Sequence, residues 1–218
     1  MTILALEFSS SQRSVAIARG ESIFSEAVET IERGTAAFAM IERALAQAKI
    51  KREEIEAIAV GLGPGSYTGV RSAIAVAQGW QLARGTNATS VSSVDAIAAQ
   101  AHVEKIFGRV NVAVDAQRRE FYFAEYEITE ASWKELAPLK ILPFAEVQSR
   151  TNSGQILIGP EAVKFFPNGR AVFPRAATVA KIAVARSVFI PAGKLEPIYL
   201  RETNFVKAKP TAPGNLNS

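Results

Sequence analysis

The sequence predicts an α/β fold of two lobes that face each other across a cleft and are related by duplication. The main observation is a faint internal repeat. In the first half, the strand Leu4–Glu7 ends on an acid and is followed by a turn containing Gln12-Arg13 and a second strand. In the second half, Val112–Asp115 ends on an acid and is followed by Gln117-Arg118 and another strand. Because each unit opens a half of similar order, a duplicated architecture is indicated.

Hydrophobic periodicity and turn residues place the individual elements along both halves. Short apolar or alternating runs between polar turns predict strands at Ile3–Phe8, Ser14–Arg19, Ile23–Glu29, Ile55–Gly61, Arg109–Asp115, Glu120–Ile128, Trp133–Leu142 and Gln155–Gly159. Another element opens at Ser90–Val94. Helical spacing or alanine-rich composition predicts helices at Phe38–Ala48, Val70–Ala83, Asp95–Gln100, Phe144–Arg150 and Thr178–Phe189. Thr35 is the expected N-cap of the first helix.

Composition narrows the class of protein. The chain has 218 residues, 48% of them hydrophobic, and no cysteine, so disulfides and thiolate chemistry are excluded. It contains no apolar run of the ~20 residues that span a bilayer and no signal-peptide pattern at its start, so we expect a cytoplasmic protein without membrane contact. We predict lobes at residues 1–100 and 101–203, and a disordered tail at 204–218, which is poor in apolar residues.

Charge is distributed unevenly along the chain. Its net charge is +4, and the surplus lies in the second half, which carries 16 basic and 11 acidic residues after position 100. An ordinary solvated surface and a weak attraction to nucleic acid or to an acidic partner both agree with this balance. No basic run with interleaved aromatic residues is present, so the sequence does not support direct nucleic-acid binding.

The sharpest local feature is the glycine-rich stretch Gly61–Gly69, between a predicted strand and a predicted helix. A Walker A loop would end in Gly-Lys-Ser/Thr, but here Gly69 is followed by Val70-Arg71. The spacing also differs from the G-x-G-x-x-G of a dinucleotide site. Two interpretations stay open: an anion site at the start of the helix, or a tight connection whose glycines serve packing.

Acids at strand ends extend the candidate site. Glu7 and Asp115 could hold Mg²⁺ through water, or they could be ordinary strand-end acids. His102 is the only histidine, which excludes a multi-histidine zinc site and argues against a serine protease triad, and its expected role is structural. The resulting candidates for a degenerate anion or nucleotide cleft are Glu7, Ser9, Gly63, Gly65, Ser66, Thr68, Gly69 and Asp115.

Two predicted helices could bury their apolar stripes against the sheet or present them to a partner. The second helix has small residues over much of its circumference, including Ala73, Ala75 and Gly79, which would permit close approach of another helix. The candidate interface residues are Phe38, Ile41, Leu45, Val70, Arg71, Ile74 and Ala77.

Several motifs together resemble a known family over nearly the whole chain. They are Ile3–Ser10, Ile58–Arg71, Ser92–Ala98, Val114–Arg118 and Pro197–Arg201. In order and spacing these stretches resemble the TsaB proteins, also known as YeaZ and often labelled glycoprotease-like. The resemblance implies an actin-like (ASKHA, ribonuclease H-like) fold. It also implies a partner, TsaD, which transfers a threonylcarbamoyl group to N6 of adenosine 37 in tRNA, and an ATPase, TsaE, in the same assembly.

The resemblance further implies a non-catalytic role. TsaD-like proteins carry a histidine pair for a catalytic metal, whereas Arg33–Phe38 contains no histidine here. The family usually has Asp-Thr where this chain has Glu7-Phe8, which would crowd a phosphate pocket. We therefore expect an accessory subunit that requires no cofactor, forms a homodimer in isolation through the helices beside the glycine-rich loop, and reaches tRNA only indirectly. ATP or ADP with Mg²⁺ at a partner interface stays open.

Two enzymatic alternatives also stay open at this point. The first is an actin-like ATPase or small-metabolite kinase that uses Glu7, Asp115 and the glycine-rich loop. The second is a peptidase, which only the old family label suggests and which the lack of a nucleophile–base pair argues against.

Overall fold

The computed structural model describes residues 1–30 and 36–200, which form two five-stranded mixed sheets with helices on their faces. The first sheet contains β1 (Thr2–Glu7), β2 (Gln12–Arg19), β3 (Ser22–Thr30), β4 (Ala57–Gly61) and β5 (Asn87–Val91). The second contains β6 (Gly108–Asp115), β7 (Glu120–Ile128), β8 (Trp133–Pro143), β9 (Ile156–Gly159) and β10 (Gly169–Ala171). The helices are α1 (Ala37–Ala48), α2 (Tyr67–Arg84), α3 (Ser93–Val103), α4 (Phe144–Asn152), α5 (Ala162–Phe165) and α6 (Ala176–Arg186).

Both sheets have the same topology. The first has the order β3-β2-β1-β4-β5, and the second has β8-β7-β6-β9-β10 when followed in the same direction. In each sheet the first strand pairs antiparallel with the second and parallel with the fourth. This repeated arrangement confirms the expected actin-like fold of two lobes related by duplication.

Both faces of each sheet are buried, and successive residues of a strand point alternately to one face and the other. On the first sheet, Leu4 and Leu6 face α1 and α2, whereas Ile3 and Ala5 face α6. On the second sheet, one buried face of β6 packs against α3 and the other lies toward α4 and α5. Because α3 and α6 contact each other, the two sheets are joined by a pair of central helices.

The two central helices cross between the lobes. α3 precedes the second sheet in sequence but packs on its strands β6 and β7, and α6 follows the second sheet but packs on β1 and β2. The boundaries expected near residues 100 and 203 stay a prediction. The expected N-cap Thr35 and the expected disordered tail 204–218 lie outside the described residues.

Most predicted elements are present, and the differences have local causes. α2 begins at Tyr67 rather than Val70, because the hydroxyl of Ser66 accepts a hydrogen bond from the Gly69 amide at 3.3 Å and caps the helix. α5 and β10 were not predicted, since runs of 4 and 3 residues carry too little periodicity. Within residues 1–30 and 36–200, no helix is long and apolar enough to cross a membrane.

A hydrogen-bond network that begins at the buried Tyr126 and ends at the exposed Arg186 ties the second sheet to the central helices. The hydroxyl of Tyr126 on β7 donates to Asp95 Oδ1 on α3 at 2.8 Å. The Arg186 guanidinium on α6 donates to the other oxygen of Asp95 at 2.6 Å. Burial and the Asp95 carboxylate raise the pKa of Tyr126. Three elements distant in sequence are therefore held by one carboxylate.

We expect Tyr126→Phe to lower the free energy of unfolding by about 1.5–3 kcal/mol, because it removes a buried hydrogen bond to a charged acceptor. Urea denaturation followed by circular dichroism measures this loss. Tyr199→Phe is the matched control, since Tyr199 is 43% exposed, and its effect should stay within about 0.5 kcal/mol. Equal losses in the two variants would contradict the assignment.

Candidate functional site

A cleft of about 470 Å³ lies between the two lobes. The turn after β1, the start of α2 and the turn after β6 form its walls. Of the residues expected at a ligand cleft, Ser9, Gly65, Ser66 and Asp115 line it. Ligand binding by this cleft stays a prediction.

Glu7 does not face the cleft, which corrects its expected role. It is fully buried beneath the turn. Its Oε1 accepts a hydrogen bond from the Ser9 amide at 2.7 Å, and its Oε2 accepts one from the Ser93 hydroxyl at 2.9 Å. Burial raises the pKa of Glu7, although these hydrogen bonds oppose the rise. Glu7 therefore anchors the turn and is not available to a ligand.

Several amides of the glycine-rich loop form hydrogen bonds within the protein, so packing accounts for this part of the loop. Anion binding at the start of α2 stays a prediction. The Ser66 amide donates to the Ser9 carbonyl at 2.6 Å, and the Gly63 amide donates to the Ser93 hydroxyl at 3.0 Å. With the Gly69 amide bonded to Ser66, these donors are already used and cannot cradle an anion.

Steric contacts explain the glycines in this loop. Gly65 has a φ of +150°, and a Cβ there would overlap the Ser9 carbonyl. A Cβ at Gly69 would overlap the Phe8 carbonyl and the Arg13 guanidinium. Gly63, Gly69 and the exposed Thr68 do not line the cleft, and their contact with a ligand stays a prediction.

Arg13 is a cleft residue that the sequence analysis missed. Its side chain is buried, and its Nη2 donates to the Ser66 hydroxyl at 3.1 Å. Its Nε and Nη1 are buried without a hydrogen-bond partner among residues 1–30 and 36–200. Burial lowers the pKa of Arg13, and the nearby Glu7 opposes this. The Gln12-Arg13 pair of the repeat was the signal that could have singled out this residue.

The opposite wall of the cleft is acidic. Asp115 accepts hydrogen bonds from the backbone amide and side-chain amide of Gln117, at 2.8 and 3.2 Å. Burial raises the pKa of Glu161, and the charge of Asp115 adds to the rise. In the described part of the chain, no group of three or more histidine, aspartate or glutamate side chains is placed to hold a metal ion.

A second cavity, of about 740 Å³, lies between the outer faces of α1 and α2. We call it the α1–α2 groove. Its lining residues are Ala37, Phe38, Ile41, Glu42, Arg52, Glu53, Ser72, Ala75, Val76, Gly79, Trp80, Ala83 and Arg84. On α2 they recur at helical spacing and form one continuous stripe of mostly small side chains.

The structure corrects most of the predicted interface residues. Leu45, Val70, Ile74 and Ala77 belong to the core of the first lobe and are at most 7% exposed, so a partner cannot reach them. Ile41, at 1% exposure, forms only the floor of the groove.

The remaining two predicted interface residues differ. Arg71 lies outside the groove, where its guanidinium stacks 4.1 Å from the Tyr67 ring. Phe38 is 71% exposed and lines the groove. The face of α2 that lines the groove is opposite the side that carries Val70, Ile74 and Ala77. That this helix pair forms an interface stays a prediction.

Comparison with known proteins gives consistent matches. A family model described as TsaD, tRNA N6-adenosine threonylcarbamoyltransferase, matches residues 35–191. The tRNA threonylcarbamoyladenosine biosynthesis protein TsaB of Escherichia coli is 30% identical over 74% of this chain and 78% of its own length. TsaB of Haemophilus influenzae is 26% identical over 92% of this chain and 94% of its own length. The solved structure of YeaZ from Pseudomonas aeruginosa is 29% identical, with a TM-score of 0.76 over 91% of this chain and 99% of that one.

The burial of Glu7 generates a prediction about pH. Its folded-state pKa lies above the ordinary value of 4.5, so the stability it contributes is complete below its unfolded pKa and is lost as pH rises through the folded pKa. The Glu7→Gln variant cannot ionise there. As pH is raised from 4.5 to roughly 8, the wild type should lose stability that the variant does not lose, so the free energy of unfolding of Glu7→Gln should rise relative to that of the wild type.

Urea denaturation at a series of pH values tests this. Glu21→Gln, at an exposed position, is the control and should follow the wild type throughout. A constant difference between Glu7→Gln and the wild type would show that Glu7 does not titrate as a buried group.

Proposed function

Because this chain belongs to the TsaB (YeaZ) family, we propose that it is a non-catalytic subunit that binds and activates TsaD in the biosynthesis of tRNA threonylcarbamoyladenosine. TsaD would carry out the transfer to N6 of adenosine 37, and a TsaE-type protein would join the assembly. The observation that carries the proposal is the α1–α2 groove, an open apolar surface on a helix pair that the fold itself leaves uncovered.

The shape of the groove suits a helix of another protein. Ala75, Gly79 and Ala83 follow one another at intervals of four, which places small side chains in line along α2. A Cβ added at Gly79 would meet nothing within 4 Å, so the space above it is free. An approaching helix could therefore come close to the α2 backbone.

The chemistry of the groove has the pattern of a protein interface, with apolar residues at the centre and charges at the rim. Phe38 and Trp80 supply the aromatic surface. At one edge, Arg52 pairs with Glu42 at 2.6 Å, and these exposed charges line the groove. Aromatic residues in such a position commonly contribute most of the binding energy.

Activation would follow from preferential binding. A partner that docks in the groove only in its active conformation is shifted toward that conformation by the difference in affinity. No catalytic group of this chain has to take part. In isolation, two copies could cover each other's grooves, so the homodimer and the TsaD complex would compete for one surface.

The cleft between the lobes supports a limited role toward nucleotides. The amides of Gly63, Ser66 and Gly69 already donate to Ser93, Ser9 and Ser66, and Glu7 is buried, which disfavours the ATPase or kinase alternative. Arg13 lines the cleft, but its unpartnered Nε and Nη1 are buried. We therefore propose that any ATP or ADP with Mg²⁺ is held only when a partner completes the site.

Gly79→Arg should block docking, because a long charged side chain would fill the groove and lose its hydration there. We expect at least a roughly tenfold loss of affinity for TsaD, measured by isothermal titration calorimetry, and a matching shift from dimer to monomer in sedimentation. Threonylcarbamoyl transfer in the reconstituted system should fall in parallel. A substitution such as Ile74→Glu would not test docking, because Ile74 lies in the core of the first lobe.

The control for docking is Ala145→Arg, which adds the same side chain to an exposed position on α4. It should bind TsaD like the wild type. Unchanged TsaD affinity in Gly79→Arg would exclude the groove as the docking surface. Transfer that needs no copy of this chain at all would overturn the proposed function.

The nucleotide proposal predicts that calorimetric titration of ATP with Mg²⁺ into the isolated chain gives no tight binding. The same titration into the complex with TsaD serves as the comparison. A submicromolar dissociation constant, below about 10⁻⁶ M, for the isolated chain would favour the kinase or ATPase alternative.

A further inference from the structure

A third cleft, of about 500 Å³, lies on the second lobe beside the cleft between the lobes, with which it shares Asp115 and Gln117. Three segments build it: the turn between β6 and β7, the start of α4, and α5. They bring together the cations Arg118, Arg119 and Lys164 and the aromatic rings of Phe144 and Phe165. We call this the basic–aromatic cleft. Its volume is in the range of ~300–1,000 Å³ typical of ligand pockets.

The cations of this cleft lack acidic partners. Among residues 1–30 and 36–200, none of Arg118, Arg119 and Lys164 forms an ion pair with a carboxylate. Elsewhere in the same lobe, Arg150 pairs with Glu125 at 2.8 Å. The acid lining this cleft, Asp115, accepts two hydrogen bonds from Gln117. The lining therefore carries three positive charges against the single negative charge of Asp115, which leaves a net positive cleft.

Backbone geometry fixes two of these cations in place. Gln117, Arg118 and Arg119 have φ values of 64°, 58° and 60°. This is a left-handed backbone conformation that residues other than glycine rarely adopt. The turn is closed by the Glu120 amide on the Gln117 carbonyl at 3.1 Å and by the Phe144 amide on the Arg119 carbonyl at 2.8 Å. A disfavoured turn thus holds two arginines at one exposed site, where glycines would be easier to accommodate.

The aromatic rings supply flat surfaces beside the charges. The Arg119 guanidinium lies 4.7 Å from the centre of the Phe144 ring, and the Lys164 ammonium lies 5.3 Å from that of Phe165. Phe144 is itself stacked on Phe166, with an angle of 16° between the rings. A guanidinium stacked on one side keeps its other face free for a planar ligand.

We propose that the basic–aromatic cleft binds an unpaired stretch of RNA. Arg118 and Lys164 hold phosphates, and a base stacks on the free face of Arg119 or on Phe165. Positive charge next to stacking surfaces is the combination that binds single strands, because only unstacked bases can reach such surfaces. The choice of RNA rests on the proposed function, which acts on tRNA. The chain would then contact its substrate directly, contrary to the expectation from sequence.

The test is fluorescence anisotropy of the full chain with a labelled, unstructured RNA of about ten nucleotides. We expect R118Q/R119Q/K164Q to bind at least roughly tenfold more weakly, with the slope of log K against log salt reduced by about 1.4, since Arg118 and Lys164 each hold a phosphate and each lost phosphate contact on a single strand contributes ~0.7. Phe165→Leu should weaken binding roughly fivefold with the salt slope unchanged, because it removes a stacking surface and no charge.

The control variant, K105Q/K134Q/K194Q, removes the same number of exposed positive charges from the second half of the chain outside the cleft. It should lose less than about threefold, as expected for nonspecific attraction alone. Equal losses in both triple variants would overturn the proposal. So would equally strong binding of duplex RNA, or competition by inorganic polyphosphate at the same phosphate concentration.

Failure of this inference can be distinguished from failure of the proposed function. The affinity of R118Q/R119Q/K164Q for TsaD should equal that of the wild type, because these residues lie on the other lobe from the α1–α2 groove. Loss of RNA binding in Gly79→Arg is likewise not expected. If RNA binding is absent while TsaD docks, only the RNA site is overturned.

Discussion

The close packing of the turn after β1 on the glycine-rich loop is the constraint on which both candidate surfaces of the first lobe depend. Backbone meets backbone where the Ser66 amide donates to the Ser9 carbonyl, and no side chain fits at Gly65 or Gly69. Glu7 fixes the turn from below through Ser9 and Ser93. Because Ser66 also caps α2, this contact sets the position and rotation of that helix. The cleft wall and the α1–α2 groove follow from it.

α2 therefore serves two surfaces at once. Its first residues border the cleft between the lobes, and its outer face forms one wall of the groove. The inner face, with Val70, Ile74 and Ala77, is committed to the core. A partner in the groove and a ligand in the cleft would contact the same rigid element, which gives a physical basis for a nucleotide site that a partner completes.

The duplication shows how one local pattern can acquire opposite roles. Both lobes place a Gln-Arg pair after a strand that ends on an acid, but Gln12-Arg13 opens β2 whereas Gln117-Arg118 lies in the turn after β6. In the first lobe Arg13 is turned inward, buried against Ser66 beside the buried Glu7. In the second lobe Asp115 stays at the cleft surface and Arg118 is exposed on a left-handed turn. The arginine of the first pair supports the structure, and that of the second pair presents charge to solvent, where a polyanion can reach it.

The sequence by itself determined the order of the elements, the repeat and the family, because hydrophobic periodicity and motif spacing are local properties of the chain. The strand Glu120–Ile128, for example, has the bounds that alternation predicts. Only the tertiary structure decided which side of α2 is buried, since small residues line both sides and its periodicity does not choose between them. It also decided that Glu7 is enclosed, and that Lys164 meets Arg118 and Arg119 across more than forty residues of sequence. Such contacts depend on how the sheets and helices pack, and a linear pattern does not encode that packing.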